Sequence, residues 1–221
     1  MSSVLADRCD AAGIPVVLFN RAQQEDRFST VTSDNFAGGK ALAEFLVAGG
    51  HRRIGYIAGW EGASTQRDRE AGFCAGLAAL GHKLFARGVG DFRTETAANA
   101  ARAMFSASEF PDAVFVANDH MAFAVIEELR GNLGLRVPED VSVVGYDDVQ
   151  LSRWSSFDLT TVRQPSGEMV AETVAALMAQ IEDGETEPRR VKIDGPLVVR
   201  GSARRPAEWK ANWKECDDER L

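Results

Sequence analysis

Short apolar runs alternate along the chain with longer amphipathic segments. The runs are rich in Val and Ile and lack the every-second-residue alternation of a strand that has one wet face. Continuous runs of this kind are typical of parallel strands that are buried on both faces. They predict strands at 15–19, 54–58, 113–117 and 141–146, and a fifth, with a weaker pattern, at 84–89.

The segments between the runs have the spacing of helices with one buried face. Asn35 can cap the first helix, which the glycine pair 49–50 ends. In the next helix Phe73, Leu77 and Leu80 fall on one face. This order of strands and helices predicts a doubly wound α/β fold with right-handed crossovers. The later helices are predicted at 66–81, 96–107, 120–134 and 168–184.

Two stretches, 21–35 and 147–167, break this pattern. The first is polar, with a short strand predicted near 29–32, and the second has no clear periodicity. Irregular connections of that length inside a compact α/β domain are usually functional. A helix and a β-like segment at 191–201 follow the second stretch. This arrangement predicts that the chain leaves one lobe, crosses a hinge and ends in another.

Polar or aromatic side chains follow every predicted strand. Ligands of open parallel sheets bind beyond the carboxyl ends of the strands, so we expect these side chains to line one site. A single polar residue after a strand is commonly a helix cap, a role that suits Asp119, but five convergent sets favour a site. The candidates are Asn20, Arg21, Trp60, Thr65, Arg67, Arg69, Asp91, Phe92, Asn118, Asp119, Asp147 and Asp148, with Gln164 further along.

These residue types are typical of a pocket for a carbohydrate or a similar polar metabolite. Arg69 can donate to hydroxyl groups and Asp147 can accept from them, whereas Asn and Gln side chains do both. Trp60 or Phe92 can lie against the apolar face of a sugar ring, or be a plain core or rim residue. We expect Arg69 and Asp147 to hold one ligand from facing sides.

The sequence contains none of the common catalytic or cofactor motifs, so we expect neither catalysis nor a cofactor. GxGxxG after a strand, GxxxxGK[ST], GxSxG and HExxH are all missing. One enzymatic alternative remains open, a Mg²⁺-dependent hydrolase or phosphotransferase that uses Asp119, Asp147 and Asp148. Among the histidines, only His120 falls near the predicted site.

Charge and cysteine content restrict the partners and the compartment. The net charge of −8 is unlike that of a domain that binds nucleic acid unaided. The sequence shows no secretory signal and no apolar stretch of the ~18–20 residues that a membrane span needs. Cys9, Cys74 and Cys216 lie far apart, as reduced thiols do. We therefore expect a cytoplasmic protein that does not contact membranes.

Six fragments, in order, resemble the LacI (lactose-repressor) family of bacterial transcription regulators. They are TVTSDNFAGGKALAEFLVAGGHRRIGYIAG, the arginine of DREAGF, FVANDHMAFAVI, GLRVPEDVSVVGYDD, LTTVRQP and LVVRGSARRP. The resemblance covers about residues 4–206. Periplasmic sugar-binding proteins share the fold, but PEDVSVVGYDD and LTTVRQP are more similar to the repressors.

The resemblance implies a periplasmic-binding-protein-like fold, in which two Rossmann-like lobes with parallel sheets hold an effector between them. It predicts a partial, truncated N-terminal lobe at 1–35, a C-terminal lobe at 36–161, a return at 162–195 and a closing strand with a polar tail at 196–221. The effector-binding residues that it implies are Asn20, Thr65, Arg69, Phe92, Asn118, Asp147 and Gln164.

The family's usual effectors are sugars, sugar phosphates and purines, and a free sugar fits Asn118 and Asp147 best. The resemblance also implies a homodimer, paired through the C-terminal lobe, for which Phe123, Leu151 and Trp154 are candidate contacts. Operator DNA would bind only through a helix-turn-helix module that has no counterpart in these residues. The expected function is a small-molecule sensor, with a transporter's sugar-binding protein as the alternative.

Overall fold

The chain folds into two compact units, each assembled from separate stretches of sequence. A computed structural model describes residues 3–22, 27–184 and 187–207. The first unit comprises 1–34 and 165–194, and the second comprises 35–164 and 195–221. The polar tail predicted near the end of the chain, together with Cys216, lies outside the described residues.

The first unit contains a three-stranded parallel sheet with the order β1-β2-β8. Val31, Met169 and Ile193 form its small apolar core. Helix α6 buries only Met169 and Ala176, and it leaves Val170, Val174 and Ile181 more than half exposed. The elements of this unit are α1 (Ser3–Ala11), β1 (Val17–Phe19), β2 (Ser29–Ser33), α6 (Ser166–Glu182) and β8 (Arg190–Ile193).

The second unit is built on a six-stranded sheet with the order β4-β3-β5-β6-β7-β9. Strands β3 to β7 are parallel, and β9 is antiparallel to β7. Its strands are β3 (Ile54–Ala58), β4 (Ala86–Val89), β5 (Ala113–Val116), β6 (Ser142–Asp147), β7 (Thr160–Arg163) and β9 (Leu197–Val198). Its helices are α2 (Asn35–Ala48), α3 (Ser64–Ala79), α4 (Thr94–Phe105) and α5 (Asp119–Glu127), which continues as a π-helical turn (Glu128–Asn132).

The predicted α/β fold with parallel sheets is confirmed. Every residue of β3 and β5 is buried, because helices cover both faces of the sheet, and the weakly patterned run at 84–89 contains the edge strand β4. Tyr56, Phe73 and Phe115 form an aromatic cluster in the core, with ring centroids 5.0–5.9 Å apart. No helix among the described residues is long and apolar enough to cross a membrane.

Two expectations about local structure are wrong. The stretch 147–167 is not irregular throughout: it contains a 3-10 turn (Gln150–Arg153) and then β7, whose two threonines and one valine are buried in the sheet. Leu80 does not share the buried face of Phe73 and Leu77. It follows the last residue of α3 as the C-cap, where the chain turns away, and is 44% exposed.

Candidate functional site

The candidate site residues of the second unit lie where its strands end. Arg69 projects from α3, Phe92 follows β4, Asn118 follows β5, and Asp147 is the last residue of β6. Gln164 comes directly after β7. Because these strands are parallel, their carboxyl ends share one edge of the sheet, as the sequence predicts.

Arg69 joins the ends of three elements. Its guanidinium donates from Nε to Asn35 Oδ1 at 2.8 Å, from Nη1 to the Ala117 carbonyl oxygen at 2.6 Å, and from Nη2 to Asp147 Oδ1 at 3.1 Å. It also lies over the ring of Tyr146, 3.7 Å from the centroid. With 3% exposure, Arg69 is a buried cation whose charge is balanced by one carboxylate and one aromatic face.

Two glycines allow α2 to approach α3 closely enough for the contact between Asn35 and Arg69. A Cβ on Gly72 would lie 2.0 Å from the Phe36 carbonyl oxygen, and one on Gly39 would lie 2.2 Å from the Arg69 carbonyl oxygen. The backbones of the two helices therefore touch at positions where only glycine fits. Asn35, predicted as a cap, is the first residue of α2, and its side-chain oxygen accepts from Arg69.

Asp147 lies between Arg69 and Gln164. Its Oδ1 accepts from Arg69 Nη2 and from the side-chain amide of Gln164. Arg69 and Asp147 form a direct ion pair, and the expectation that they hold one ligand from facing sides stays a prediction. A ligand hydroxyl would bind beside this pair, where the Asp147 side chain keeps 19% of its surface exposed.

Asp119 is a buried structural carboxylate rather than a helix cap. Asn118 is the N-cap of α5 and accepts from the Met121 amide at 3.1 Å. The Asp119 oxygens accept instead from the Val149 amide, the Ser152 hydroxyl and the Thr161 hydroxyl, at 2.6–3.0 Å. Burial raises the pKa of Asp119 to about 6, although these three hydrogen bonds oppose the rise.

The three aspartates of the hydrolase alternative do not form a metal site. Asp147 pairs with Arg69, Asp119 accepts from two hydroxyls and an amide, and Asp148 pairs with Arg163 and Arg200. Among the residues that the structure describes, no group of three His, Cys, Asp or Glu side chains could hold a metal ion. The carboxylates are held by protein donors, which leaves the Mg²⁺ interpretation without support in the geometry.

Phe92, Asn118 and His120 line an open pocket of about 650 Å³ beside the ends of β4 and β5. Phe92 has a φ of +56° and packs on Gly59, where a Cβ would lie 2.2 Å from its ring. The sequence predicts only that His120 falls near the site, and in the structure His120 lines this pocket. The remaining lining residues are Arg93, Thr94, Glu95 and Thr96.

Gln66, which sequence reasoning missed, orders the loop between β3 and α3. Its Oε1 accepts from the Tyr56 hydroxyl at 2.9 Å and from the Gly59 amide at 2.7 Å. Thr65, the neighbouring candidate, is buried in the first turn of α3, and Trp60 is 57% exposed at the exit of β3.

Asn20 directly follows β1 in the first unit. Its φ of +53° is in the left-handed region, where Asn is one of the better tolerated residues. The side-chain Oδ1 is buried and has no hydrogen-bond partner among the described residues. Buried polar atoms are normally satisfied, so this oxygen is a candidate ligand contact. Arg21, next to it, is exposed and donates to the Asn20 carbonyl oxygen.

The three candidate dimer contacts differ in exposure. Trp154 is 59% exposed, whereas Leu151 is partly buried against the core of its own unit. The expectation that Phe123 joins an exposed cluster is wrong. It is 7% exposed and packs on Phe157, with the ring centroids 4.5 Å apart. Of these three candidate dimer contacts, only Trp154 exposes most of its side chain.

Comparison with known proteins identifies the class of protein to which the chain is similar. Residues 43–203 match the family described as periplasmic binding protein-like domain. The curated regulator CelR of Thermobifida fusca, described as an HTH-type transcriptional regulator, is 36% identical over 202 residues, which are 90% of this chain and 59% of CelR.

Solved structures of similar regulators identify the family. A CelR–cellobiose complex superposes with a TM-score of 0.84 at 35% identity, covering 90% of this chain and 62% of that one. The lac repressor dimer bound to operator and the anti-inducer ONPF superposes with a TM-score of 0.80 at 27% identity, covering 90% of this chain and 59% of that one. A LacI transcriptional regulator from a Rhodococcus species superposes with a TM-score of 0.82 at 30% identity, covering 92% of this chain and 73% of that one. The chain belongs to the LacI family of transcription regulators. It spans about three fifths of the length of CelR.

Proposed function

We propose that this chain is the effector-binding part of a cytoplasmic transcription regulator and that its effector is a sugar. The observation that carries the proposal is the hydrogen-bonded series Asn35–Arg69–Asp147–Gln164 at the carboxyl edge of the six-stranded sheet. Planar donors and a carboxylate held in fixed positions are what a site needs to distinguish one pattern of hydroxyl groups from another.

The neighbouring pocket supplies groups that suit a sugar. Phe92 offers an aromatic face, and Asn118 offers an amide, at the edge that Asp147 and Gln164 share. An aromatic ring packs on the C–H face of a pyranose, while amide and carboxylate groups bond its rim of hydroxyls. CelR, the relative solved with cellobiose, makes this disaccharide the first ligand to test.

The regulatory mechanism that we propose is a population shift. The effector binds one conformation of the chain more tightly than another, and this difference in affinity sets the affinity of the parent protein for operator DNA. DNA would be contacted through a module outside these residues, in a homodimer to which Trp154 contributes. The lac repressor, a structural neighbour, was solved as a dimer on its operator.

Calorimetric titration tests the proposal. Cellobiose, glucose and hypoxanthine are titrated into the wild-type chain and into Asp147→Asn and Phe92→Ala variants. We expect a sugar to bind, Asp147→Asn to weaken it roughly tenfold or more, and hypoxanthine to give no heat. Asp68→Asn, an exposed charge removal on α3, is the matched control and should bind as the wild type does.

Three outcomes would count against the proposal. Binding of hypoxanthine in preference to both sugars would assign a purine effector. Unchanged sugar affinity in Asp147→Asn and Phe92→Ala would place the sugar elsewhere. Heat from a titration with Mg²⁺ alone would instead revive the hydrolase alternative.

A further inference from the structure

The two consecutive aspartates at the end of β6 have opposite environments. Asp147 is partly exposed, whereas the side chain of Asp148 is fully buried. Asp148 is held by two arginines: Oδ1 accepts from Arg200 Nη2 at 2.6 Å and Oδ2 accepts from Arg163 Nε at 2.5 Å. A buried carboxylate with a cation on each oxygen is fixed in position by strong, charge-assisted hydrogen bonds.

The backbone at these aspartates is unusual, and Asp147 is strained. Asp147 has a φ of +128°, which side-chain-bearing residues rarely adopt, and Asp148 has a φ of +57°, in the left-handed region. Such conformations persist only where the surroundings enforce them. The two ion pairs of Asp148 supply that restraint, because Arg163 comes from β7 and Arg200 from the segment after β9.

The restraint acts next to the candidate ligand-binding carboxylate. Arg163 is the residue paired with Asp147 in the ladder between β6 and β7. The amide N–H of Gln164 donates to the Asp147 carbonyl oxygen at 3.2 Å, and the Gln164 side chain donates to Asp147 Oδ1. If Asp148 were released, the backbone at 147–148 could relax, and the Asp147 carboxylate would turn with it.

We propose that Asp148, Arg163 and Arg200 form a positioning clamp that holds Asp147 and Gln164 in the orientation that binds the effector. This inference rests on the proposed function, since Asp147 is assigned there as a ligand contact. The clamp residues are positioning residues and need not touch the ligand themselves.

The clamp lies next to two of the places where the chain passes between the units. Gln164 is the last residue before the chain passes into the first unit, and Gly195 is the first after it returns. Gly195 lies against Arg163, whose amide N–H donates to the Pro196 carbonyl oxygen at 2.9 Å. A ligand that shifts Asp147 therefore acts on side chains adjacent to two of the three places where the chain passes between the units.

A double-mutant cycle with cellobiose as the probe tests the clamp. Arg163→Met should weaken binding about tenfold, and Arg163→Lys, which keeps the cation, should restore most of the affinity. In an Asp147→Asn background Arg163→Met should weaken binding no further, because the clamp acts through Asp147. Arg136→Met removes a surface ion pair with Asp140 and is the matched control.

Amide hydrogen exchange tests the clamp without ligand. Arg163→Met and Arg200→Met should speed exchange at the Gln164 and Val149 amides and leave β3 and β5 protected. Unchanged exchange at both amides would overturn the clamp, as would a Met variant that binds cellobiose as tightly as the wild type. If the wild type does not bind cellobiose, that sugar fails as the effector, while the exchange result still decides the clamp.

Discussion

At the scale of single residues, identical side chains have different roles because their surroundings differ. Asp119 is buried among two hydroxyls and a backbone amide, Asp148 is buried between two arginines, and Asp147 is partly exposed beside one. Of these three aspartates, only Asp147 combines a fixed geometry with access for a ligand. The chemistry of the site therefore depends on burial and neighbours, which a residue type alone does not determine.

Two buried titratable groups should give the second unit opposing dependences of stability on pH. Burial raises the pKa of Asp119 to about 6, so the stability it contributes is present below its ordinary pKa of 3.8 and is lost as the pH rises through 6. Burial and the nearby Arg204 lower the pKa of His51 to about 4. The stability that His51 contributes is therefore present above pH 6.5, its ordinary pKa, and is lost as the pH falls through 4.

Each of these pKa changes corresponds to about 3 kcal/mol, so the two contributions largely cancel between pH 4 and 6.5 in the wild type. Asp119→Asn should therefore make the free energy of unfolding rise with pH in this window, and His51→Gln should make it fall. Urea unfolding at pH 4, 5, 6 and 7 measures both slopes. Variant curves that run parallel to that of the wild type would contradict the assignment.

The sequence predicted the site residues that follow strands and missed the ones that hold them. Asn118 and Asp147 are found from the rule that ligands bind beyond strand ends, a rule that depends only on local sequence order. The partners Asn35, Arg200 and Gln66 cannot be found in this way. Their contacts, such as Asn35 with Arg69, join residues far apart in sequence, and the packing of whole elements decides them.

At the scale of elements, the approach of α2 to α3 determines where Arg69 lies. Gly72→Ala places a methyl group against the Phe36 backbone, which cannot move as the end of a flexible side chain can. We expect a loss of about 1–3 kcal/mol in the free energy of unfolding, together with weaker sugar binding, because Arg69 shifts from Asn35. Thermal unfolding and calorimetry measure the two effects.

Gly131→Ala is the control for this prediction. A Cβ on Gly131, in the π-helical turn, meets nothing within 4 Å. Alanine is also the better helix former, so this variant should be as stable as the wild type or more so. An equal loss of stability in both variants would show that the close helix contact is not the cause.

Element types were predictable where the apolar pattern is continuous, as in β3, β5 and β6. Strand β7 was not, because TTVR contains only one strongly apolar residue and its burial comes from neighbours on both sides of the sheet. Its Thr161 hydroxyl donates to Asp119, which allows a polar side chain in that position. Tertiary hydrogen bonding replaced the hydrophobic signal on which the prediction depended.

At the scale of the whole molecule, Trp154 is the residue that self-association should bury. Large aromatic side chains contribute much of the binding energy at interfaces, and this one is 59% exposed beside the 3-10 turn. Trp154→Ala should weaken dimer formation in sedimentation experiments. Trp60, which follows β3, is almost equally exposed, and Trp60→Ala should leave the association unchanged. Equal dimer constants for Trp154→Ala and the wild type would exclude this surface.

Residues 1–221 should not bind DNA specifically. The chain carries a net charge of −8, and its short basic clusters, 51–53 and 204–205, give little free positive charge. His51 is buried with a lowered pKa, and Arg204 contacts its ring at 3.0 Å. Asp112 accepts from the backbone amides of Arg52 and Arg53, which places a carboxylate beside the same cluster.

Two or three phosphate contacts release few counterions, so any residual binding should be weak and depend only shallowly on salt. A gel-shift titration against random duplex DNA, at two salt concentrations with and without cellobiose, measures this. We expect no discrete complex at nanomolar chain concentration in any condition. A sequence-dependent complex that cellobiose dissociates would mean that these residues bind DNA specifically themselves, and it would contradict the prediction that DNA is contacted through a module outside them.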